Sequence, residues 1–592
     1  MSNIACPDPT MRVLVANRGE IARRVIRTLD TWGVDSIAVY ADPDAGASHA
    51  REATRAVRIG PAALDESYLS IEAVLGAAKE SQATHVHPGY GFLSERTDFA
   101  TAVVDAGLTW IGPSPEAVAS MGSKIEARKV AISSSVPVIP GYNDSQDPAD
   151  LQRAAEEIGY PILVKASAGG GGKGIRIAHS ADDFPTALAD ARTEAMRAFG
   201  DDDVIVERYI TRPRHVEVQI AADEHGNVID LGTRECSVQR RYQKVVEEAP
   251  ASNIPDAVAV AMRQDAIKLA QAIGYDSVGT VEFIVDAATN EYFFLEMNTR
   301  IQVEHTVTEE ITGVDLIALQ IASACGETMS LAADHFDQSM AERPRHAFEA
   351  RINAEDPWRG HLPQTGTVTH LELPADDHTR WDAAIVSGSE ITPFYDSMIG
   401  KLIISGTTRL IALERLEKAL DRVDIQGITT NVDFHRWLVR QPELRLGRIT
   451  TRFLDETPLP TSSPFGKGTH RSPWADRTGL RFTPHRSAFA FDSESRDERW
   501  HNTSTSGDAG THVLAPFPGL ITEVLVEVGQ PVSVGQTLMT IEAMKMLHPI
   551  TVAGPATIQT ITVEAGAQVE SGHVLVTFSD AQDTTPNESD AT

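Results

Sequence analysis

Short apolar runs and stretches of helical period alternate from the start of the chain. "RVLVA", "RGEIARRVIRTLDTWG" and "DSIAVY" predict strand, helix and strand, the helix closing at Gly33 and the second strand rich in β-branched and apolar positions. Such an opening predicts an α/β domain built on a parallel sheet. The short strands "THVHPG" and "LTWIG" carry the pattern to about residue 120. Beyond it, "YPILVKAS" and "GIRIAHS" bracket a glycine run, "DVIVERYI" and "RHVEVQIAAD" follow, and "GTVEFIVD" and "YFFLEMN" alternate as antiparallel strands do. The middle of the chain therefore reads as α+β.

After about residue 455 the pattern breaks into "TPLPTSSPFGKGTHRSP" and "STSGDAG", whose Pro, Ser, Thr and Gly content predicts a tether over roughly 456–510. The tether also carries apolar groups, in "LRFTPHRSAFAF" and at Trp500, that are expected to dock. The final "DAQDTTPNESDAT" is polar and acidic, as disordered tails are. Between tether and tail lies an internal repeat. "VEVGQPVSVGQTLMT" from Val526 superposes on "VEAGAQVESGHVLVT" from Val563 with a shift of 37. Lys545, flanked by Met544 and Met546, sits between the two halves. Two similar β-halves meeting at a turn would lift this lysine away from the body, where other sites can reach it.

Length and charge narrow the function. A chain of 592 residues predicts several domains. Fifty-two basic against eighty-three acidic residues give −31, which disfavours nucleic acid and anionic membranes as partners and obliges any anionic ligand to find a dedicated basic cluster. Cys6, Cys236 and Cys325 are far apart and odd in number, so neither a disulfide framework nor a zinc spacing is expected. No apolar run approaches membrane-spanning length, and "MSNIACPDPT" lacks the regions of a signal peptide, so the expected location is cytoplasmic.

Two constellations carry chemistry. "KASAGGGGKG" meets the dinucleotide pattern through Gly169, Gly171 and Gly174, but a strand rather than a helix follows it, and Lys173 precedes Gly174 rather than Ser or Thr as a P-loop requires. A glycine loop between strands suits a flap whose backbone N–H groups close over phosphates, with Lys165 and Lys124 supplying fixed positive charge. The second is "EMNTRIQVEH". If it runs extended, Glu296, Asn298, Arg300, Gln302 and Glu304 share one face, which is costly unless a ligand or solvent meets them. Glu296 with Glu282 offers hard oxygen ligands for Mg²⁺ beside nucleotide phosphates. Arg300 and Gln302 suit a small planar anion, and Glu304 a proton acceptor beside it.

These segments carry a resemblance. "ANRGEIA", "HPGYGFLSE", "VKASAGGGGKG", "RHVEVQ", "QRRYQKVVEEAP", "EMNTRIQVEH" and "RINAEDP", in order, resemble biotin carboxylase, an ATP-grasp enzyme. "EAMKM" around Lys545, with "APFPG" upstream, resembles the attachment site of biotin carboxyl carrier domains, Phe517 standing where Met is usual. Together they resemble the α subunit of a bacterial acyl-CoA carboxylase. The resemblance implies an N-terminal α/β domain over 1–120, an ATP-grasp domain over 121–335 with a glycine-rich lid at about 140–209, a C-terminal carboxylase domain over 336–455, and, after the linker, an all-β, lipoyl-like biotinyl domain over 511–580.

It implies that Lys124, Lys165, Gly171, Gly172, Glu207, Arg208, Tyr209, Ile210, His215, Gln239 and Ile284 hold ATP. Glu282, Glu296 and Asn298 would hold Mg²⁺ or Mn²⁺, and Lys244, Arg300, Gln302 and the Val303 backbone bicarbonate. Glu304 would be the base, Arg351 would face the biotin ureido oxygen, and Lys545 would carry biotin. Carboxyphosphate, formed from bicarbonate and ATP, would deliver CO₂ to biotin for a separate carboxyltransferase β subunit. A biotin protein ligase, a small accessory subunit and a homo-oligomer are the other expected partners. Tyr242, Arg208, Thr306 and Leu547 depart from the family pattern, where His, Lys, Pro after Glu-His, and another residue after Met-Lys-Met are expected. Cys236 is read as a buried structural thiol. Another ATP-grasp ligase, or a non-catalytic ATP-binding scaffold, would share parts of this pattern; only the first lacks use for a biotin-type carrier, and only the second turns nothing over.

Overall fold

The structure, a computed structural model, describes residues 4–167, 174–328, 345–465, 512–544 and 546–579. It divides into two compact units: Met1–Asn353, Thr367–Glu390 and Met398–Leu459 form one, and Ala354–Gly366, Ile391–Ser397 and Pro460–Thr592 the other.

The first unit opens as its apolar pattern predicts. β1 (Arg12–Val15), α1 (Gly19–Trp32), β2 (Asp35–Ala41), β3 (Arg55–Gly60), β4 (His85–His87) and β5 (Thr109–Trp110) build a parallel sheet in the order β3-β2-β1-β4-β5. α1 ends because Gly33 takes the left-handed conformation, φ 68°, and its N–H caps carbonyls of the last turn. Ile21, Ala22, Val25, Ile26 and Leu29, spaced at helical period, are buried in the core with Val13 and Val15.

A four-stranded sheet follows, built from β6 (Gly141–Tyr142), β7 (Ile162–Ala166), β8 (Ile175–Ala178) and β9 (Val204–Arg208) in the order β6-β9-β7-β8. β7 and β8 pair antiparallel, Lys165 opposite Ile175, so a strand does follow the glycine run; 168–173 itself lies outside the described residues. The largest sheet holds the polar chemistry. β10 (Pro213–Ala222), β11 (Val228–Arg240), β12 (Gln243–Ala249), β13 (Val278–Asp286), β14 (Tyr292–Asn298) and β15 (His346–Asn353) lie in the order β14-β13-β10-β11-β12-β15, continued by the strands Met398–Gly406 and Thr379–Ala383.

In the second unit the repeat becomes geometry. Strands Gly519–Val524, Pro531–Val532 and Thr537–Ala543 recur after the sequence shift as Ala556–Ile561, Gln568–Val569 and Val574–Phe578. Each half supplies strands to both of two four-stranded sheets, which close over a core that includes Ile521, Leu538, Ile541, Ile558, Leu575 and Val576. Thr537–Ala543 and Met546–Thr551 form a hairpin, with Ala543 opposite Met546. Met544 takes φ 50° in its turn. Lys545 lies outside the described residues, as do 466–511, which hold most of the expected tether of 456–510, and the tail from 580.

Candidate active site

The centre of the large sheet gathers charge that its strands have taken out of water. Lys244, near the start of β12, donates to Glu217 on β10 at 2.7 Å, to Glu282 on β13 at 3.0 Å and to Glu304 at 2.5 Å. Glu304 precedes the helix His305–Thr312 and bridges to Arg351 on β15, whose guanidinium donates to it at 2.9 Å and to Glu247 on β12 at 2.6 Å. Burial pushes the Glu304 carboxyl up, but Lys244, Arg351 and Arg234 outweigh it and hold the group well below the usual carboxylate range. Burial pulls Lys244 down, and its three carboxylates hold it well above the usual range instead. Both groups are therefore fully ionised at rest, as a desolvated pair must be to offset its cost.

Around this junction stand most of the expected anion and metal groups. Glu282 also accepts from Asn298 at 2.9 Å and Gln302 at 2.8 Å, and pairs with His215 at 2.8 Å. Gln239 meets the other His215 nitrogen at 2.6 Å. Arg300 lies one step outward, bonded to Asn298 at 2.9 Å and paired with Glu95 at 3.0 Å. The Val303 carbonyl accepts from Lys401 at 2.6 Å. The expectation of an extended run through Glu304 is corrected: β14 ends at Asn298, and 299–304 turn into the following helix. The polar side chains still converge, because this turn brings Gln302 and Glu304 back over β13 and β12 rather than setting them on one strand face.

Glu282 and Glu296 are direct partners across β13 and β14. Burial and the Glu282 charge push the Glu296 carboxyl up, against the pull of Lys124 at 3.8 Å. Two like charges in register, with the Asn298 amide beside them, form a hard oxygen set that a divalent cation would neutralise, so the residues fit Mg²⁺ or Mn²⁺.

The expected nucleotide residues form a second group. Lys165 pairs with Glu207 at 2.7 Å, and Arg128 holds the other oxygen at 3.0 Å. Ile210, Ile139 and Phe293 pack together with Ile284 into a small apolar cluster suited to a planar base. Arg208 lies over the Phe293 ring at 5.2 Å, the Arg208 N–H donates to the Pro140 carbonyl and the Tyr209 N–H to the Pro161 carbonyl. Arg241 and Tyr242 both take positive φ, 48° and 65°, in the tight turn between β11 and β12, where Asn-Gly is the low-strain choice. Cys236 is buried, and burial with the nearby Glu217 charge raises its thiol well above the usual range, which makes it inert. Gly171, Gly172 and Lys545 lie outside the described residues.

Several residues were not anticipated. Arg234, fully buried on β11, binds Glu217, Gln219 at 2.6 Å, Thr308 at 2.9 Å, Thr280 at 3.0 Å and Gln302 at 2.9 Å, and so fixes the frame on which Lys244 and Gln302 stand. Glu217, Glu247, Glu349 and Lys401 were missed with it. The one signal available was a charge inside an apolar strand run, as in "LGTRECSV" and "QKVVEEA".

A carrier domain of paired four-stranded sheets and an ATP-grasp carboxylase centre define a biotin-dependent carboxylase, the class to which the comparisons point. Residues 9–118 match the biotin carboxylase N-terminal domain, 123–332 the carbamoyl-phosphate synthase L chain ATP binding domain, 349–456 the biotin carboxylase C-terminal domain and 503–578 the biotin-requiring enzyme domain. A biotin-dependent acyl-coenzyme A carboxylase alpha3 subunit of Mycobacterium leprae is 40% identical over 95% of this chain and 98% of its own. The rice mitochondrial methylcrotonoyl-CoA carboxylase subunit alpha is 45% identical over 78% of this chain, and the match spans 63% of that protein. The biotin carboxylase domain of Hydrogenobacter thermophilus 2-oxoglutarate carboxylase, solved with MgADP, ADP and bicarbonate, is 41% identical with a TM-score of 0.72, over 76% of this chain and 98% of that one. The chain belongs to the family of biotin-dependent acyl-CoA carboxylase α subunits.

Proposed function

We propose that this chain uses ATP and bicarbonate to carboxylate biotin carried on its own Lys545, and that it serves a separate carboxyltransferase β subunit acting on an acyl-CoA. The observation that carries the reading is the Lys244–Glu304–Arg351 junction: one buried carboxylate held between two cations, with Arg300, Gln302 and the metal-type carboxylates alongside. Lys244, Arg300 and Gln302 bind the bicarbonate anion and the Val303 backbone adjoins it. Glu304 takes its proton at the carboxylate, leaving a dianion that attacks the γ-phosphorus of ATP to give carboxyphosphate and ADP. Lys124 and Lys165, with the glycine loop at Gly171 and Gly172, cradle the phosphates; Glu207 to Ile210, with His215, Gln239 and Ile284, hold the rest of the nucleotide. Mg²⁺ or Mn²⁺ on Glu282, Glu296 and Asn298 supplies charge neutralisation at the phosphates. Arg351 donates to the ureido oxygen of biotin, the group that supplies the acceptor nitrogen.

Resting Glu304 is a weak base, since Lys244 and Arg351 hold its carboxyl low. Bicarbonate drawn to Lys244 and biotin drawn to Arg351 compete for those cations, so base strength develops only in the loaded site. A biotin protein ligase would load Lys545; a cytoplasmic location, a homo-oligomer and a small accessory subunit complete the reading, with the domain limits as the sequence sets them. Among the described residues no helix is long and apolar enough to cross a membrane. The test is carboxylation of free biotin by the pure chain. Label from bicarbonate should enter biotin only with ATP and a divalent cation, and bicarbonate-independent ATP hydrolysis of equal rate would refute the reading.

A further inference from the structure

Beside the junction stand two carboxylates that the reaction, as derived above, does not use. Glu247 and Glu349 are direct partners across the antiparallel strands β12 and β15, and both are fully buried. Directly opposed positions bring Cβ atoms to roughly 5 Å, within reach of carboxyl-to-carboxyl contact. One oxygen of each is engaged: Glu247 Oε1 by Arg351, and Glu349 Oε2 by the Thr306 hydroxyl, with Lys401 at 3.9 Å. The other oxygen of each, Glu247 Oε2 and Glu349 Oε1, is buried and receives no hydrogen bond among the described residues. Two ionised carboxylates so placed would repel, and two orphaned acceptors would remain. A single proton answers both: the protonated acid donates and the ionised one accepts.

We propose that Glu247 and Glu349 share one proton, and that this pair positions Arg351 by facing it with one negative charge in place of two. The charged and titratable groups around the pair are Arg351 on the same strand as Glu349, Lys244 on the strand of Glu247, Glu304 at the helix start, Lys401, itself 3.4 Å from Glu20, and Tyr90, whose hydroxyl donates to Glu20. Burial, set against Arg351, pushes Glu247 up to about 7; burial, set against Lys401, and the Glu247 charge push Glu349 up to about 8. Thr306, where Pro was expected from the family pattern, gains a purpose here. Its hydroxyl engages one oxygen of Glu349 and leaves the other for the shared proton, which a proline could not do.

This inference rests on the proposed carboxylase reading, because it assigns the pair to Arg351 and the biotin step. Two measurements test it. Difference infrared spectra of the full chain near neutral pH should show a protonated-carboxyl C=O band that disappears in both Glu247→Gln and Glu349→Gln, since either amide leaves the remaining acid ionised. No such band in the unaltered protein, or its loss in only one variant, overturns sharing. In the second, the ratio of Glu349→Gln to unaltered protein in kcat/KM for free biotin should climb several-fold as pH rises through about 8, because the amide cannot lose the proton it supplies while the natural pair can. The ratio cancels titration of the substrates, and a purely structural role would leave it flat with pH, which would also overturn the proposal. Absence of ATP- and bicarbonate-dependent carboxylation at every pH would instead sink the carboxylase reading, while the infrared result would still decide the shared proton.

Discussion

Replacing Glu304 with Gln separates its charge from its shape. The amide keeps the volume and one acceptor oxygen, but it has almost no proton affinity and presents an NH₂ where Lys244 and Arg351 now donate at 2.5 and 2.9 Å. Stripping one partner from a buried pair costs about 3–5 kcal/mol when the other is left alone. Neither cation is left alone here: Lys244 keeps Glu217 and Glu282, and Arg351 keeps Glu247. The variant should therefore fold, with a loss well under that range. Catalysis should suffer more. Loss of a general base costs about 10² to 10⁴ in rate, which at about 1.4 kcal/mol per decade is roughly 3–5 kcal/mol of transition-state stabilisation. Bicarbonate-dependent ADP release under saturating substrates should fall by that factor. ATP affinity should hold, because the Lys165–Glu207 pair and the Ile210 cluster share no contact with Glu304. In the unaltered enzyme the free-enzyme profile should show no acid limb from Glu304, whose carboxyl stays ionised far below neutral. Near-normal turnover in Glu304→Gln, or an equal loss of ATP binding, would refute the assignment.

Arg234→Met removes a guanidinium with five side-chain partners and leaves Glu217 buried against Lys244 alone; a loss of about 3–5 kcal/mol is expected, read as a lowered midpoint of the carboxylase unit in thermal unfolding. Lys545→Arg should abolish the biotin mass increment in intact-protein analysis while free-biotin carboxylation persists. Stability should also carry the mark of Glu349. Its carboxyl is raised from 4.5 to about 8, so its contribution is full below the unfolded value and lost as pH rises through the folded one; the midpoint of Glu349→Gln relative to the unaltered protein should climb across that window. The pure chain should fix no labelled bicarbonate into acetyl-CoA or propionyl-CoA until a β subunit is added, and robust fixation by the single chain would overturn the division of labour.

What could be read from sequence was what repeats locally. α1 and its Gly33 stop follow from a helical apolar stripe and one residue free to take positive φ. The carrier's paired sheets follow from a repeat whose shift maps strand on strand. Lys244, Arg300, Gln302 and Glu304 stood in short dense motifs, so their convergence could be anticipated although the turn that achieves it could not. The turn after Asn298 has no glycine or proline to announce it, and tertiary bonds from Glu282 and Lys244 set its path. Arg234, Glu247, Glu349 and Lys401 were illegible for a related reason. Each is a charge buried in a strand that carries apolar residues, and partners lie far along the chain: Glu247 meets Arg351 across 104 positions, and Lys401 meets Val303 across 98.

Charge counting then links the resting site to its chemistry. Around the junction the buried carboxylates Glu20, Glu217, Glu247, Glu282, Glu304 and Glu349 outnumber the cations Arg234, Lys244, Arg351 and Lys401. Fully ionised, the set carries an excess negative charge in a region water has left, and it would repel bicarbonate. A proton shared by Glu247 and Glu349 removes one negative charge, and a divalent cation at Glu282 and Glu296 would add two positive ones. Each step moves the site of a chain that is acidic as a whole towards attracting bicarbonate. Because Lys244 and Arg351 hold Glu304 until substrates compete for them, the base strengthens as the site fills, so an ATP-loaded site without bicarbonate has no dianion to attack the γ-phosphorus. The cluster that makes Glu304 a poor base at rest is, on this reading, what ties ATP cleavage to the presence of both acceptors.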